Sequence, residues 1–174
     1  MSETSNKNSA IPIANEIVIR PATANDAPAI LECLRAAFEP YRLQYTPEAY
    51  LDTVMSAEAM LQRLETMSLF VAIDSQDNVI GTIGGGLVSP SEGHLRGMGV
   101  LPEWHGRGVA RQLLQRIEQE LFVKGCIRIS LDTTEPIHRA MHFYEKNAYQ
   151  RSGKLTPYFG MTLIEFIKDR PPDS

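Results

Sequence analysis

Residues Val100 to Leu114 read VLPEWHGRGVARQLL, and this stretch decides the fold. It begins as the end of a strand and finishes as an amphipathic helix. Pro102 stops the strand because proline has no N–H for a ladder. Gly106 and Gly108 bracket Arg107 in a tight turn. From Val109 the apolar residues Val109, Leu113, Leu114, Ile117 and Leu121 recur with helical spacing. A glycine-rich turn that opens a helix leaves backbone N–H groups unpaired and pointing one way. Such a terminus attracts anions. Arg107 and Arg111 add positive charge beside it. The stretch therefore predicts a site for phosphate or pyrophosphate.

Two familiar phosphate motifs do not fit. A Walker A loop places Lys and Ser or Thr after its last glycine, whereas Gly108 is followed by Val-Ala-Arg. A dinucleotide fingerprint needs a third spaced glycine and a following acidic strand end, and both are missing.

Composition narrows the classes. A length of 174 residues suits one domain with a sizeable core. The chain is 43% hydrophobic and 22% charged, as expected of a globular protein. A net charge of −4 argues against general nucleic-acid binding and is compatible with an amine substrate. Cys33 and Cys126 lie in apolar contexts without metal-ligand spacing. They read as buried free thiols in a reducing compartment. The first residues, MSETSNKNSA, lack the apolar run of a signal peptide, and no stretch reaches membrane-spanning length. The expectation is a cytoplasmic protein with no metal, no nucleic acid and no membrane partner.

Along the chain, residues 1–15 read as a mobile tail, and a single domain is expected over residues 16–170. Glu16 to Arg20 is a short strand. Asn25 or Asp26 is placed to cap a helix running to about Phe38. The aromatic loop Tyr41 to Thr46 leads into a second helical region, Pro47 to Met67, with a break near Ser56. Met55, Met60 and Met67 read as core fillers there, with substrate contact as the other reading. Ser68 to Ile73 and Val79 to Val88 are strands joined by the turn DSQDN. The glycines at 81, 84, 85 and 86 mark a bulge or a close approach, the bulge being the simpler reading.

Gly93 to Val100 is the next strand, with His94, Arg96 and Met98 expected on one face. The helix after the turn runs to about Lys124, with Gly125 at its C-terminal end. Cys126 to Leu131 is a strand, and a helix follows from about Pro136 to Lys146. Tyr149 to Ser152 and Phe159 to Lys168 are the last two strands, joined by a loop containing Pro157. The order gives a mixed α/β sheet with helices on its faces.

The segment from Val100 through Ala110 resembles the acyl-CoA-binding segment of the GNAT superfamily of N-acetyltransferases, with Gly108 and Ala110 at its two small positions. His105 stands where that family has Arg or Gln. A second stretch, AMHFYEKNAYQRSG from Ala140 to Gly153, is also similar to the family, through Ala140, Phe143, Tyr144 and Tyr149. Ile137 replaces an Asn common there. The resemblance covers about Ile17 to Lys168. It implies a GNAT-like, mostly antiparallel mixed sheet of about seven strands flanked by about four helices.

It also implies acetyl-CoA as co-substrate and direct attack by an amine of a small molecule or peptide. A homodimer is compatible with it. By resemblance, Met98, Gly99 and Val100 pair with the pantetheine arm, while Gly106, Arg107, Gly108, Val109, Ala110 and Arg111 hold the pyrophosphate. Tyr144 serves the leaving thiolate; its plainer reading is a core aromatic. Among the residues that could accept the amine proton, His94 is the first candidate, because Leu95 to Val100 contain no carboxylate. Its plainer reading is a hydrogen-bonded surface histidine. A non-catalytic acyl-CoA sensor on the same fold is the alternative to an enzyme.

Overall fold

A computed structural model describes residues 16–172. The expected tail over residues 1–15 lies outside the described residues. Seven strands form one sheet: β1 (Val18–Pro21), β2 (Ser68–Ile73), β3 (Val79–Ser89), β4 (Glu92–Val100), β5 (Arg128–Thr134), β6 (Gln150–Tyr158) and β7 (Met161–Asp169). Their spatial order is β1-β2-β3-β4-β5-β7-β6. Only β4 and β5 run parallel. The expected mixed sheet with flanking helices is present, and among the described residues the α-helices number five: α1 (Ala27–Phe38), α2 (Pro47–Val54), α3 (Ala57–Thr66), α4 (Val109–Val123) and α5 (His138–Lys146). The break near Ser56 separates α2 from α3. Met55 takes φ 42°, and the Ser56 hydroxyl then accepts from the Ala59 N–H to start α3.

The sheet separates two apolar clusters. Leu113, Leu114, Ile117 and Leu121 of α4 pack with Met141 and Tyr144 of α5 on one side. Ile30, Leu31 and Leu34 of α1 pack with Met55 and Met60 on the other. Met60 is buried at 1% exposure, so these methionines fill core space. Two of the β3 glycines act by close packing. A Cβ on Gly81 would stand 2.9 Å from Leu113 Cδ1, and one on Gly85 would stand 3.0 Å from Ile117 Cγ1. Their absent side chains let α4 settle directly on the sheet.

Three local expectations are corrected. Asp26 does not cap α1 with its side chain. Its carboxylate turns back to accept from the Thr23 N–H at 2.7 Å and from the Arg20 guanidinium at 2.8 Å. β5 begins at Arg128 and runs on through Thr134, because it pairs with β7 along its whole length. Pro157 lies within β6, not in a loop. β6 is an edge strand with β7 as its one neighbour, so a missing N–H is tolerated there. The chain reverses at Phe159 (φ 47°) and Gly160 (φ 79°), two consecutive positive φ values as in a type I′ hairpin.

Candidate active site

The site begins where β4 and β5 part. Their parallel register runs only from Glu92–Arg128 to Leu95–Leu131. Beyond it, β4 stays with β3 up to Val100, and β5 stays with β7 up to Thr134. The wedge between them opens into a cleft of about 640 Å³. One wall is Gly97 to Val100, and the opposite wall is Leu131 to Thr134. The turn before α4 and the first half of α5 close one end. The other end is lined by Asp52, Arg63, Arg96 and Tyr158.

A bulge directs β4 at the mouth of the wedge. Thr82 faces Gly99, but Gly84 faces Arg96, so Gly97 and Met98 together oppose Ile83. Gly97 takes φ +63°, a conformation that glycine adopts without strain. The extra residue reverses the strand's alternation. Leu95 packs with the α4 cluster, whereas a Cβ on Gly99 would meet Leu34 and Ala37 of α1. Met98 therefore faces the α4–α5 side. The expectation that it shares a face with His94 and Arg96 fails, because period-two alternation does not survive a bulge.

Gly106 (φ +76°) and Gly108 (φ +80°) form the turn that leads into α4. Among the described residues, the N–H groups from Gly106 to Arg111 have no backbone acceptor; the first bond of the helix is Gln112 N–H to the Gly108 carbonyl. Five of these six residues line the cleft. The sixth, Arg107, stacks its guanidinium over the Trp104 ring at 4.8 Å. His105 Nε2 lies 3.0 Å from the Val100 carbonyl oxygen and ties the turn back to β4.

Tyr144 enters the same cleft from α5. Its ring packs against Phe143, Tyr149 and Phe166. Its hydroxyl donates to Met98 Sδ at 3.2 Å. Burial pushes the phenol's pKa up, so the group stays protonated and able to donate.

His94 lines the cleft from β4. Its Nδ1 is 2.9 Å from Ser130 Oγ, and its Nε2 is 3.4 Å from Asp132 Oδ2. Burial lowers the imidazole's pKa below its ordinary value; Asp132 opposes that shift and Arg96 reinforces it. The Ser130 hydroxyl also reaches the Gly93 carbonyl at 3.4 Å. When Ser130 donates to Gly93, Nδ1 carries the ring proton and Nε2 is the free base. Asp132 then stands ready to stabilise the imidazolium.

Sequence reading missed Ser130 and Asp132. They belong to β5, and only the parallel pairing of His94 with Ser130 brings them to the histidine. It also missed Arg63, Asp52 and Tyr158, which meet through docking of the β6–β7 hairpin. Tyr158 donates to Asp52 Oδ2 at 2.7 Å, and the Thr46 hydroxyl donates to the Phe159 carbonyl at 2.6 Å. No local motif marks either meeting.

Among the described residues, no group of three or more His, Cys, Asp or Glu side chains is arranged to hold a metal ion. No described helix is long and apolar enough to cross a membrane.

The fold is shared with solved acetyltransferase structures. PaiA N-acetyltransferase from Thermoplasma acidophilum, in complex with coenzyme A, superposes with a TM-score of 0.76 at 19% identity, over 89% of this chain and 99% of that one. A GNAT family acetyltransferase from Elizabethkingia anophelis with acetyl-CoA bound gives 0.64 at 17% identity, over 88% and 98%. Ribosomal-protein-alanine N-acetyltransferase from Brucella melitensis gives 0.69 at 21%, over 88% and 99%. At these identities the likeness is one of fold. The sequence profile of the Acetyltransferase (GNAT) family matches residues 28–149, and the chain belongs to that family.

Proposed function

We propose that this chain is an acetyl-CoA-dependent N-acetyltransferase that acts on a primary amine of a small molecule or peptide by direct attack. One observation carries the reading: Gly106 and the run Gly108 to Arg111, whose amides have no backbone acceptor, line the same cleft as Tyr144 and His94. Phosphate recognition and proton-transfer groups thus share one space. The acetyltransferase domain spans residues 16–170, and its buried free thiols Cys33 and Cys126 suit a reducing cytoplasm.

The residues fit the co-substrate. Consecutive amides at a helix N-terminus suit a pyrophosphate. The edge of β4 from Gly97 to Val100 meets no strand on its β5 side, so an extended pantetheine arm can add there as a strand would. When bound, acetyl-CoA supplies a thioester whose acyl carbon the amine attacks, with the C–S bond breaking and coenzyme A leaving as thiolate.

The chain's own residues then manage charge and protons. A backbone N–H in the stretch from Met98 to Val100 supports the developing oxyanion. His94 Nε2 accepts the amine proton, and Asp132 stabilises the imidazolium so formed. Tyr144 donates a hydrogen bond to the departing thiolate sulfur, in place of its bond to Met98 Sδ, and keeps its own proton; the thiolate leaves so stabilised and takes its proton from water. The guanidinium of Arg107, turned onto Trp104, has no part in these steps.

The test is to incubate the purified full chain with acetyl-CoA and a panel of amines. Thiol release matched mole for mole by N-acetylated product is expected. Tight acetyl-CoA binding with no acetylated product across the panel would favour the sensor reading.

A further inference from the structure

At the end of the cleft away from the glycine turn, two guanidiniums stand without a direct ion pair. Arg63 reaches in from α3 and Arg96 from β4. Arg63 Nη1 lies 3.0 Å from where a Cβ on Gly97 would stand, so the bare bulge makes room for it. Arg20, Arg42, Arg116, Arg128 and Arg151 each have a carboxylate partner. Arg63 and Arg96 make no ion pair or hydrogen bond among the described residues. The nearby Asp52 accepts from Tyr158 instead. Burial lowers the pKa of the Arg63 guanidinium and the charge of Arg96 lowers it further, while Asp52 and Tyr158 oppose the shift. Two cations facing one space, neither held by a carboxylate in a direct ion pair, form a receptor for an oxyanion.

We infer that the acceptor is an acidic amine, a small molecule whose amine meets His94 while a carboxylate or phosphate at its other end lies between Arg63 and Arg96. The inference rests on the acetyl-transfer reading above and narrows its substrate class. His94 and Arg96 are two residues apart on β4, before the bulge, so both project to the same side of the sheet. A short molecule spans that separation. Asp132 beside His94 favours the cationic end, and the arginine pair favours the anionic end, so the orientation is fixed by charge at both ends.

The experiment compares matched acceptors on the full chain with acetyl-CoA. Aminoalkyl carboxylates of two to six carbons are paired with their carboxamides, and phosphoethanolamine is paired with ethanolamine. Each pair is measured with wild type, Arg63→Gln and Arg96→Gln, after thermal melts confirm folding. Wild-type kcat/KM should favour the charged member of at least one pair by on the order of ten- to a hundredfold. Each variant should cut that ratio by about tenfold. Calorimetric affinity for the same compounds, in the presence of coenzyme A, should show the same preference and the same loss. Acetylation without charge preference, or a ratio that survives both variants, would overturn the inference while leaving acetyl transfer standing. Arginine-dependent binding of the charged members with no acetylation would sink acetyl transfer alone. Equal affinity for charged and neutral members would overturn the inference even if nothing turned over.

Discussion

The Tyr144 hydroxyl lies 3.2 Å from Met98 Sδ, bridging α5 to the bulge of β4 across the floor of the cleft. A thioether is a weak acceptor. A thiolate in the same space is a far better one, so the phenol's bond to Met98 is readily exchanged for a bond to a leaving sulfur.

Tyr144→Phe keeps the ring against Phe143, Tyr149 and Phe166 and removes only the hydrogen-bond donor. Single-turnover rates should fall by roughly 10²–10⁴-fold, with acetyl-CoA affinity close to wild type. Unchanged turnover, with chemistry shown to be rate-limiting, would reduce Tyr144 to a core aromatic.

The pH dependence follows from His94. A base must be unprotonated to accept a proton, and burial holds this imidazole's pKa below its ordinary value of 6.5. Activity should therefore be limited by His94 only at pH values below the usual histidine range. His94→Gln should lower the rate most where little free amine exists, and less at high pH where the acceptor is already deprotonated. A pH–rate profile matching wild type would remove His94 from the reaction.

Asp132→Asn tests the supporting carboxylate, 3.4 Å from His94 Nε2. Without that negative charge the imidazolium loses its stabiliser, so the pKa of His94 should fall further. The rate should drop with little change in acetyl-CoA affinity. NMR titration of the histidine ring reads the first effect and steady-state kinetics the second; an unmoved His94 pKa would separate the two residues.

The Arg20–Asp26 pair makes a stability prediction distant from the cleft. Asp26 is held down to about 2 by the Arg20 hydrogen bonds, the Thr23 N–H adding to the effect. A carboxyl whose folded pKa lies below its unfolded value of 3.8 stabilises the fold fully above that value. The contribution is lost as pH falls through about 2. Since Arg20 is partly exposed, its worth is about 1–2 kcal/mol. Asp26→Asn should lower stability by that much at neutral pH in chemical denaturation, and the difference should shrink below pH 4.

Much of the fold is legible in the chain because its signals are local. The turn Asp74 to Asn78 folds on the Asp74 side chain, which accepts from the Gln76 and Asn78 N–H groups. Gly125 takes φ +99° just beyond α4, as a helix-ending glycine should. The Gly106–Gly108 turn is equally local.

What escapes the sequence is set by neighbours. Met98 changes face because a bulge adds one residue against β3. Asp132 reaches His94 because β5 lies beside β4 for only four register pairs, Glu92–Arg128 to Leu95–Leu131. A search for a base confined to Leu95 to Val100 finds no carboxylate, yet Asp132 of the next strand supplies one beside His94. Arg63 and Tyr158 meet at the cleft only after the β6–β7 hairpin has docked on α2, and no periodicity within either element encodes that contact.

The central claim is that the amides of the turn before α4 hold the pyrophosphate of acetyl-CoA. Isothermal titration of acetyl-CoA into wild type, Gly108→Asn and Gly108→Asp tests it most directly. Gly108 takes φ +80°, which Asn and Asp tolerate better than most residues, and a Cβ there meets only Gln112 Nε2 at 4.0 Å. Both variants can therefore fold, and they differ in one negative charge. Gly108→Asp should weaken binding by about a hundredfold or more, as expected when charge-assisted bonds worth roughly 1.5–3 kcal/mol each are replaced by repulsion. Gly108→Asn should lose distinctly less. Equal dissociation constants for all three folded proteins would contradict the placement of the pyrophosphate at this turn.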